Sequence, residues 1–245
     1  MHDFIPSNMK KILVLITLVA ALSVTSHAQF LNYGVRAGVG LATHVDDLAF
    51  NSPFLAANIG GFVSFGFTQS QSLLAENFYL QTGLNLVRRG SNFREVLEMA
   101  MSIREGYYDA WYAQIPILAT FHYEMPIREP GHFALLSIGP AVNVGLLGNF
   151  YDKKFSRGLP QEAWNYEINE PVFNFANRFD VDFLLGIGYE HQDLSVMLQL
   201  DYGFLAVAET PDALKRINGI DENATVPMGN NFALLLTVGY QFPIR

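Results

Sequence analysis

The end of the chain has the clearest alternation of apolar and polar residues. Between positions 231 and 242 every second side chain is large and apolar, and the residues between them are small or polar. The apolar positions are Phe232, Leu234, Leu236, Val238, Tyr240 and Phe242. A period of two predicts a β-strand with one apolar face. In a soluble protein this face would cover a core; in a membrane barrel it would face lipid, with aromatic residues near the two interfaces.

Seven earlier segments repeat this pattern. They are 33–45, 54–68, 77–87, 110–124, 132–146, 178–190 and 193–204. Their faces repeat at two residues and not at 3.6, which argues against helices. Asp182 and Asp201 lie in the middle of two of these segments, so one face of each strand must meet a polar environment. The sequence therefore predicts eight strands in one all-β domain.

The connections between the predicted strands alternate in length. Those after the second, fourth and sixth strands are short, and those after the third, fifth and seventh, at 88–109, 147–176 and 206–230, are long. Alternation of this kind is typical of outer-membrane barrels, which have tight periplasmic turns and longer outer loops. We therefore expect an eight-stranded antiparallel up-and-down transmembrane β-barrel. Within the loop at 88–109, residues 93–103 are predicted to form a short helix.

The first 28 residues have the features of a cleaved signal peptide. Lys10 and Lys11 precede an apolar run at 12–24, and Ser26-His27-Ala28 provides a small-x-small cleavage site. The run is shorter than the roughly 20 residues that a spanning helix needs. We expect a signal peptide at 1–28 and a barrel domain at 29–245; an N-terminal anchor helix is the alternative. Translation could start at Met1 or at Met9.

Composition excludes several classes of function. The net charge of -8 and the absence of a basic patch argue against a nucleic-acid partner. The chain has no cysteine, which excludes disulfides, thiolate metal sites and cysteine nucleophiles. None of the six histidines stands at metal spacing with another ligand. We therefore predict no metal and no cofactor.

Several short motifs carry a family resemblance. They are YAQIPI at 112–117, GP at 139–140, DFLLGIGYE at 182–190, LTVGYQF at 236–242 and the opening GVRAG at 34–38. These motifs resemble the PorT-like outer-membrane β-barrel family. The resemblance implies a small eight-stranded barrel in the outer membrane of a Gram-negative bacterium, in contact with lipid. Some members of that family serve type IX secretion. The tail after Phe242 departs from the family pattern, in which such barrels often end at the aromatic residue.

Catalytic chemistry has weak support in the sequence. Ser137, His122 and Asp182 could all point into the barrel as a hydrolase triad, but alternation alone would place such residues there. The glycines at 34–40 and 186–188 lack the strand–loop–helix context of a phosphate-binding loop. We therefore predict no catalytic residue. A barrel enzyme acting on lipid or peptide, and a soluble lipocalin-like periplasmic carrier, remain the alternatives.

The inward faces predict a filled barrel. An eight-stranded barrel leaves an interior just wide enough for side chains. The inward positions include Arg36, Phe62, Tyr79, Gln81, Gln114, Asp182, Gln199 and Asp201. Because buried charges are tolerated mainly when they are paired, we predict a polar network in the lumen. Its members are Arg36, Asp182, Asp201 and Gln199, with Arg178 as a further cation.

A filled lumen and a lipid-covered wall leave the rims for specific contacts. The long loop at 147–176 carries the aromatic residues Tyr151, Trp164, Tyr166 and Phe173 among mixed charges. Tyrosine and tryptophan supply much of the binding energy at protein interfaces. We therefore expect a non-enzymatic structural or accessory protein that meets a protein partner in the outer membrane or at the cell surface. Alternatively, these aromatics pack over the barrel mouth.

Overall fold

A computed structural model describes residues 30–45, 51–66, 77–97, 102–127, 130–156, 165–174, 176–209 and 227–242. The predicted signal peptide lies outside these residues. The strands are β1 Phe30–Val45, β2 Asn51–Ser52, β3 Phe54–Gly66, β4 Phe78–Leu97, β5 Ser102–Glu124, β6 His132–Ser156, β7 Tyr166–Pro171, β8 Phe179–His191, β9 Leu194–Glu209 and β10 Pro227–Phe242. One 3-10 turn, Val172–Asn174, follows β7. No helix in the described part of the chain is long and apolar enough to cross a membrane.

Eight of the strands close into an antiparallel ring. The order is β1, β3, β4, β5, β6, β8, β9 and β10, and β10 pairs with β1. Each strand of the ring therefore lies beside its neighbours along the chain, as in an up-and-down barrel. Two short strands lie outside the ring: β2, which precedes β3 in the chain, pairs with the later part of β4, and β7, which precedes β8, pairs with the later part of β6. The predicted all-β, eight-stranded antiparallel barrel is confirmed.

The wall has an apolar outer face and a largely polar inner face. In β10, Leu236 exposes 53% of its surface, whereas its neighbour Thr237 exposes 5%. Leu198 lies opposite Leu236 on β9 and is also exposed. Buried polar residues include Asn58, Asn85, Gln114, Asn143, Asp180, Asp182, Gln199, Asp201 and Asn231. This distribution is the reverse of a soluble domain and suits a wall surrounded by lipid.

Strands β4, β5 and β6 extend furthest beyond the segments that the sequence pattern predicts. β4 continues to Leu97 and β5 begins at Ser102, so most of the predicted loop at 88–109 is a β-hairpin. The predicted helix at 93–103 is wrong, because 93–97 and 102–103 are paired strand; 98–101 lie outside the described residues. In the same way β6 continues to Ser156. Phe93 explains the preference for strand: it points into the barrel and its ring stacks on Phe150, 6.2 Å between centroids.

These extensions form a small sheet at one end of the barrel. We call this end the outer end, and the opposite end, where β1 begins and β10 finishes, the inner end. The outer sheet consists of 88–97 of β4, 102–109 of β5, 149–156 of β6 and strand β7. We call the apolar, lipid-facing part of the wall the belt. Between the outer sheet and the belt lies a register shift at Trp111–Tyr112 of β5, opposite Leu147 and Gly145 of β6.

Candidate functional site

An ion pair occupies the centre of the lumen. Nη2 of Arg89 contacts Oδ2 of Asp182 and lies 3.1 Å from Oδ2 of Asp201. The arginine and Asp182 side chains have no solvent exposure, and Asp201 has 1%. Arg89 comes from β4 and the two aspartates come from β8 and β9, so the pair ties together strands on different sides of the ring. Pairing of this kind makes buried carboxylates tolerable.

Amide side chains surround the two aspartates. Gln114 Nε2 donates to Asp182 at 3.2 Å, and Gln199 Nε2 donates to Asp201 at 2.7 Å. Asn85 in turn donates to Gln114 at 3.2 Å. The network therefore runs through β4, β5, β8 and β9 and fills the middle of the lumen with hydrogen-bonded side chains.

The arginines of the network differ from the prediction. Arg36 lies in the lumen as expected, but its Nη2 donates to Gln81 at 2.8 Å and its guanidinium lies 4.8 Å over the ring of Phe62. Its side-chain hydrogen bond is therefore to Gln81 and not to a carboxylate, while the charge of Asp201 still acts on it. Arg178 is exposed and lies over Phe173, so its predicted membership in the lumen network is wrong. The counter-cation of Asp182 and Asp201 is Arg89, which the sequence pattern placed in a loop.

Apolar side chains fill the outer half of the lumen. The 3-10 turn tucks Val172 inside the wall with no exposure, and Phe173 packs against Tyr112, Arg178 and the backbone at Gly145. A Cβ at Gly145 would collide with the Phe173 ring, so this close approach requires glycine. The cluster consists of Tyr108, Ala110, Tyr112, Phe150, Ile168, Val172, Ala176 and Val207, with Phe93, Tyr166 and Phe173 against it. The outer mouth of the barrel is therefore closed by packing.

A cavity of about 40 Å³ lies in the inner half of the lumen, lined by residues that include Arg36, Tyr79, His122 and Glu190. His122 Nδ1 is 3.6 Å from a carboxylate oxygen of Glu190. Ser137, whose hydroxyl is 2.9 Å from that of Thr120, has no contact of this kind with His122 in the described residues. Ser137, His122 and Asp182 thus each engage a different partner.

The described residues contain no group of three histidine, cysteine or acidic side chains arranged to hold a metal ion. A cavity of this size holds a few water molecules at most, since one water needs roughly 10–15 Å³.

The outward face of the outer sheet carries two cross-strand rows. One row consists of Arg94, Glu105, Lys153 and Glu167, one residue from each strand in register. The row below it consists of Asn92, Tyr107, Tyr151 and Asn169. All eight side chains are at least partly exposed. These rows lie above the apolar belt, in a position to contact molecules in solution.

Just below these rows, Arg88 marks the border of the belt. Its guanidinium makes two hydrogen bonds to Asp109, at 2.8 and 2.9 Å, and lies over the rings of Phe54 and Trp111. Tryptophan and a snorkelling arginine are typical of the membrane–water interface. The outer sheet therefore stands clear of the hydrocarbon region.

The four aromatic residues predicted to bind a partner are found in different settings. Tyr151 faces outward on β6, stacks on Tyr107 at 5.6 Å and donates to Glu167 at 3.1 Å. Tyr166 and Phe173 instead pack against the apolar cluster inside the mouth, and burial raises the pKa of Tyr166 to about 12. Trp164 lies outside the described residues. The segment is strand and turn over its described part, which corrects the prediction of a loop.

The chain matches the family described as "Outer membrane protein beta-barrel domain" over residues 25–208. It belongs to this family. No protein with a curated description matches the sequence. The family places the protein in the outer membrane, as predicted. Because the barrels of this membrane have short periplasmic turns, the inner end faces the periplasm and the outer sheet faces the cell exterior.

Solved structures of other outer-membrane barrels are similar to this chain in part. The attachment invasion locus protein Ail of Yersinia pestis, solved with the heparin analogue sucrose octasulfate, has 10% identity and a TM-score of 0.40, with 86% of this chain and 99% of that chain covered. The N-terminal β-barrel domain of Pseudomonas aeruginosa OprF has 13% identity and a TM-score of 0.28, covering 86% and 98%. The translocator domain of NalP from Neisseria meningitidis has 10% identity and a TM-score of 0.23, covering 95% and 96%.

Proposed function

We propose that this barrel is a non-enzymatic accessory protein of the outer membrane that binds a protein partner through its outer sheet. The observation that carries the proposal is the contrast between a closed lumen and a structured, exposed sheet. The lumen is filled by the Arg89 network and by the apolar cluster above it. Among the described residues, the outward face of the outer sheet, with Tyr107 and Tyr151 at its centre, is an exposed surface with varied chemistry.

The size of the inner cavity supports a role without a small-molecule substrate. Sites for small ligands usually have volumes of roughly 300–1,000 Å³, and the cavity of about 40 Å³ is far smaller. A carrier or an enzyme acting inside the lumen would need the packed side chains to move apart. Catalysis by the residues considered as a triad would need a nucleophile and a base in contact, and Ser137 and His122 instead contact Thr120 and Glu190.

The stacked tyrosines fit a protein partner best. Tyrosine combines a large apolar surface with a polar tip and is enriched among the residues that dominate interface energies. Asn92 and Asn169 flank the pair and add donors and acceptors. These aromatic and amide side chains favour a protein over other classes of partner. A link to type IX secretion rests on the PorT-like motifs alone, and we propose it as the pathway to test first.

Affinity purification from detergent-solubilised outer membrane tests the proposal. The double variant Tyr107→Ala/Tyr151→Ala should fold normally, because both rings lie outside the barrel, and should lose the co-purifying protein. Tyr123→Ala is the matched control, since Tyr123 is 65% exposed at the inner end of β5. Retention of the partner by the double variant would contradict the proposal. A heat-modifiable band on gels would show that each variant forms the barrel.

A further inference from the structure

The charged row of the outer sheet has alternating signs. From β4 to β7 its members are Arg94, Glu105, Lys153 and Glu167, that is, plus, minus, plus, minus. The row beneath it is symmetric, with an asparagine at each edge and Tyr107 and Tyr151 in the middle. The first row changes sign when it is reversed from left to right, and the second row stays the same.

Three of the four charged side chains in this row have no charged or hydrogen-bonding partner in the described residues. Arg94, Glu105 and Lys153 make no hydrogen bond and no ion pair with any residue that the structure describes. The next residues inward behave differently: Arg104 holds the buried carboxylate of Asp152 at 2.7 Å. The outward charges are therefore available to a second molecule. Because the row has no net charge, it does not favour a polyanion or a polycation.

A two-fold axis that runs along the barrel and passes between β5 and β6 performs the left-to-right reversal that the row needs. When two copies face each other across such an axis, each residue to the left of the axis meets the residue to its right in the other copy. Glu105 then faces Lys153 of the second copy, and Tyr107 faces Tyr151. Each contact occurs twice.

The membrane permits this axis. Two barrels inserted with their outer ends on the same side of a bilayer can be related by a two-fold axis only if that axis is perpendicular to the membrane. This direction runs along the barrel. Barrel strands tilt by roughly 35–45° and the wall is convex, so two facing rows cross and touch mainly at their centres. The centre of the outer sheet is the pair β5 and β6, which carries Glu105, Tyr107, Tyr151 and Lys153.

We propose that the outer sheet binds a second copy of this chain and forms a two-fold symmetric dimer in the outer membrane. The proposal rests on the proposed function, since it names the protein partner of the same surface. The four tyrosines form the centre of the contact, and two Glu105–Lys153 pairs lie beside them. Paired charges at the edge of an interface give specificity and orientation.

Charge reversal tests the dimer directly. Wild-type protein in mild detergent should be dimeric by native mass spectrometry. Glu105→Lys places positive charges at both facing positions and should weaken dimerisation at least tenfold, and Lys153→Glu should do the same with negative charges. Mixing these two variants should restore a dimer that contains one copy of each. The double variant Glu105→Lys/Lys153→Glu should dimerise with itself.

Controls separate this interface from general effects. Glu124→Lys makes the same charge change on the same strand, at the exposed inner end of β5, and should dimerise like the wild type. A monomeric wild type over the accessible concentration range would overturn the proposal, and so would single variants that do not recover on mixing. If the wild type is monomeric but the tyrosine double variant still loses another co-purifying protein, self-association fails and the proposed function stands.

Discussion

Arg89 and Asp201 lie on diametrically opposite strands of the barrel, and their side chains meet in its centre, with 3.1 Å between Nη2 and Oδ2. β4 is third and β9 is seventh in the eight-membered ring that starts at β1. One arginine thus reaches across the lumen and connects walls that are far apart in the ring. Since Asp182 contacts the same guanidinium, Arg89 compensates the buried charge of both carboxylates.

Removal of Arg89 should be strongly destabilising. Arg89→Ala leaves Asp182 and Asp201 buried without their counter-cation, and loss of one partner of a buried pair costs about 3–5 kcal/mol. The free energy of unfolding, measured by urea titration of the barrel in lipid vesicles with tryptophan fluorescence, should fall by this amount. Arg178→Ala serves as the control, since that side chain is exposed over Phe173 and its removal should have little effect.

Neutralisation of the whole group should recover much of the loss. The triple variant Arg89→Met/Asp182→Asn/Asp201→Asn removes cation and anions together, so it leaves no unpaired charge from this group in the lumen. If Arg89→Ala unfolds at the same urea concentration as Arg178→Ala, the pair does not hold the lumen together. If the triple variant is no more stable than Arg89→Ala, the loss reflects missing volume and not unpaired charge.

The sequence pattern misses Arg89 because it ends the third strand too early. Two consecutive arginines followed by glycine and serine have the composition of a loop, and the apolar face stops at Leu86. The period of two nevertheless continues, since Asn85, Val87, Arg89 and Ser91 all point inward. The regular spacing of these inward residues is the feature of the sequence that indicates a longer strand. It is hard to recognise because the outward face changes from apolar to polar where the strand leaves the lipid.

Which side chains point inward could be predicted, but their partners could not. Alternation places Arg36, Asp182, Gln199 and Asp201 in the lumen, and each is buried there. Contacts across the lumen depend on the height of each residue in the ring, which follows from the register of all eight strands. Arg36 therefore binds Gln81 in the inner half, whereas Arg89 reaches the aspartates. A period of two contains no information about that height.

The exposed leucines should be intolerant of charge. Leu236 and Leu198 face each other on the outside of β10 and β9. Arginine on the lipid face of a barrel costs roughly 2–4 kcal/mol near the midplane, so Leu236→Arg should lower the free energy of unfolding in vesicles by about this amount. Thr237→Ser is the neighbouring control, because serine keeps the hydroxyl that donates to the Met197 carbonyl at 3.2 Å. Equal stability of both variants would contradict the assignment of this face to lipid.

Alkaline pH should loosen the outer mouth. Burial raises the pKa of Tyr166 to about 12, above the value near 10 of an unfolded chain. The protonated phenol is thus favoured in the folded state, and its contribution to stability is complete below pH of about 10 and is lost as pH rises through about 12. The free energy of unfolding should decline over this window.

The Tyr166→Phe variant isolates this effect. It removes the ionisable group but keeps the ring against the apolar cluster, so its decline between pH of about 10 and 12 should be smaller than that of the wild type. Absorbance near 295 nm follows tyrosine ionisation in parallel. A Tyr166→Phe variant whose stability falls as steeply as that of the wild type would assign the alkaline loss to other groups.

The barrel should not conduct ions. Two separate regions close the lumen: the Arg89 network in the centre and the apolar cluster around Val172 and Phe173 in the outer half. Wild-type protein inserted into planar bilayers should therefore show no large, stable open level. Phe173→Ala should also remain closed, because it removes apolar packing near the mouth and leaves the central ion pair in place. In a parallel experiment with vesicles, protection of the membrane-spanning strands from added protease verifies that each variant inserts. Long-lived openings of the wild type would show that the packed lumen opens in the membrane, and a pore restricted to Phe173→Ala would show that the central network alone does not close the barrel.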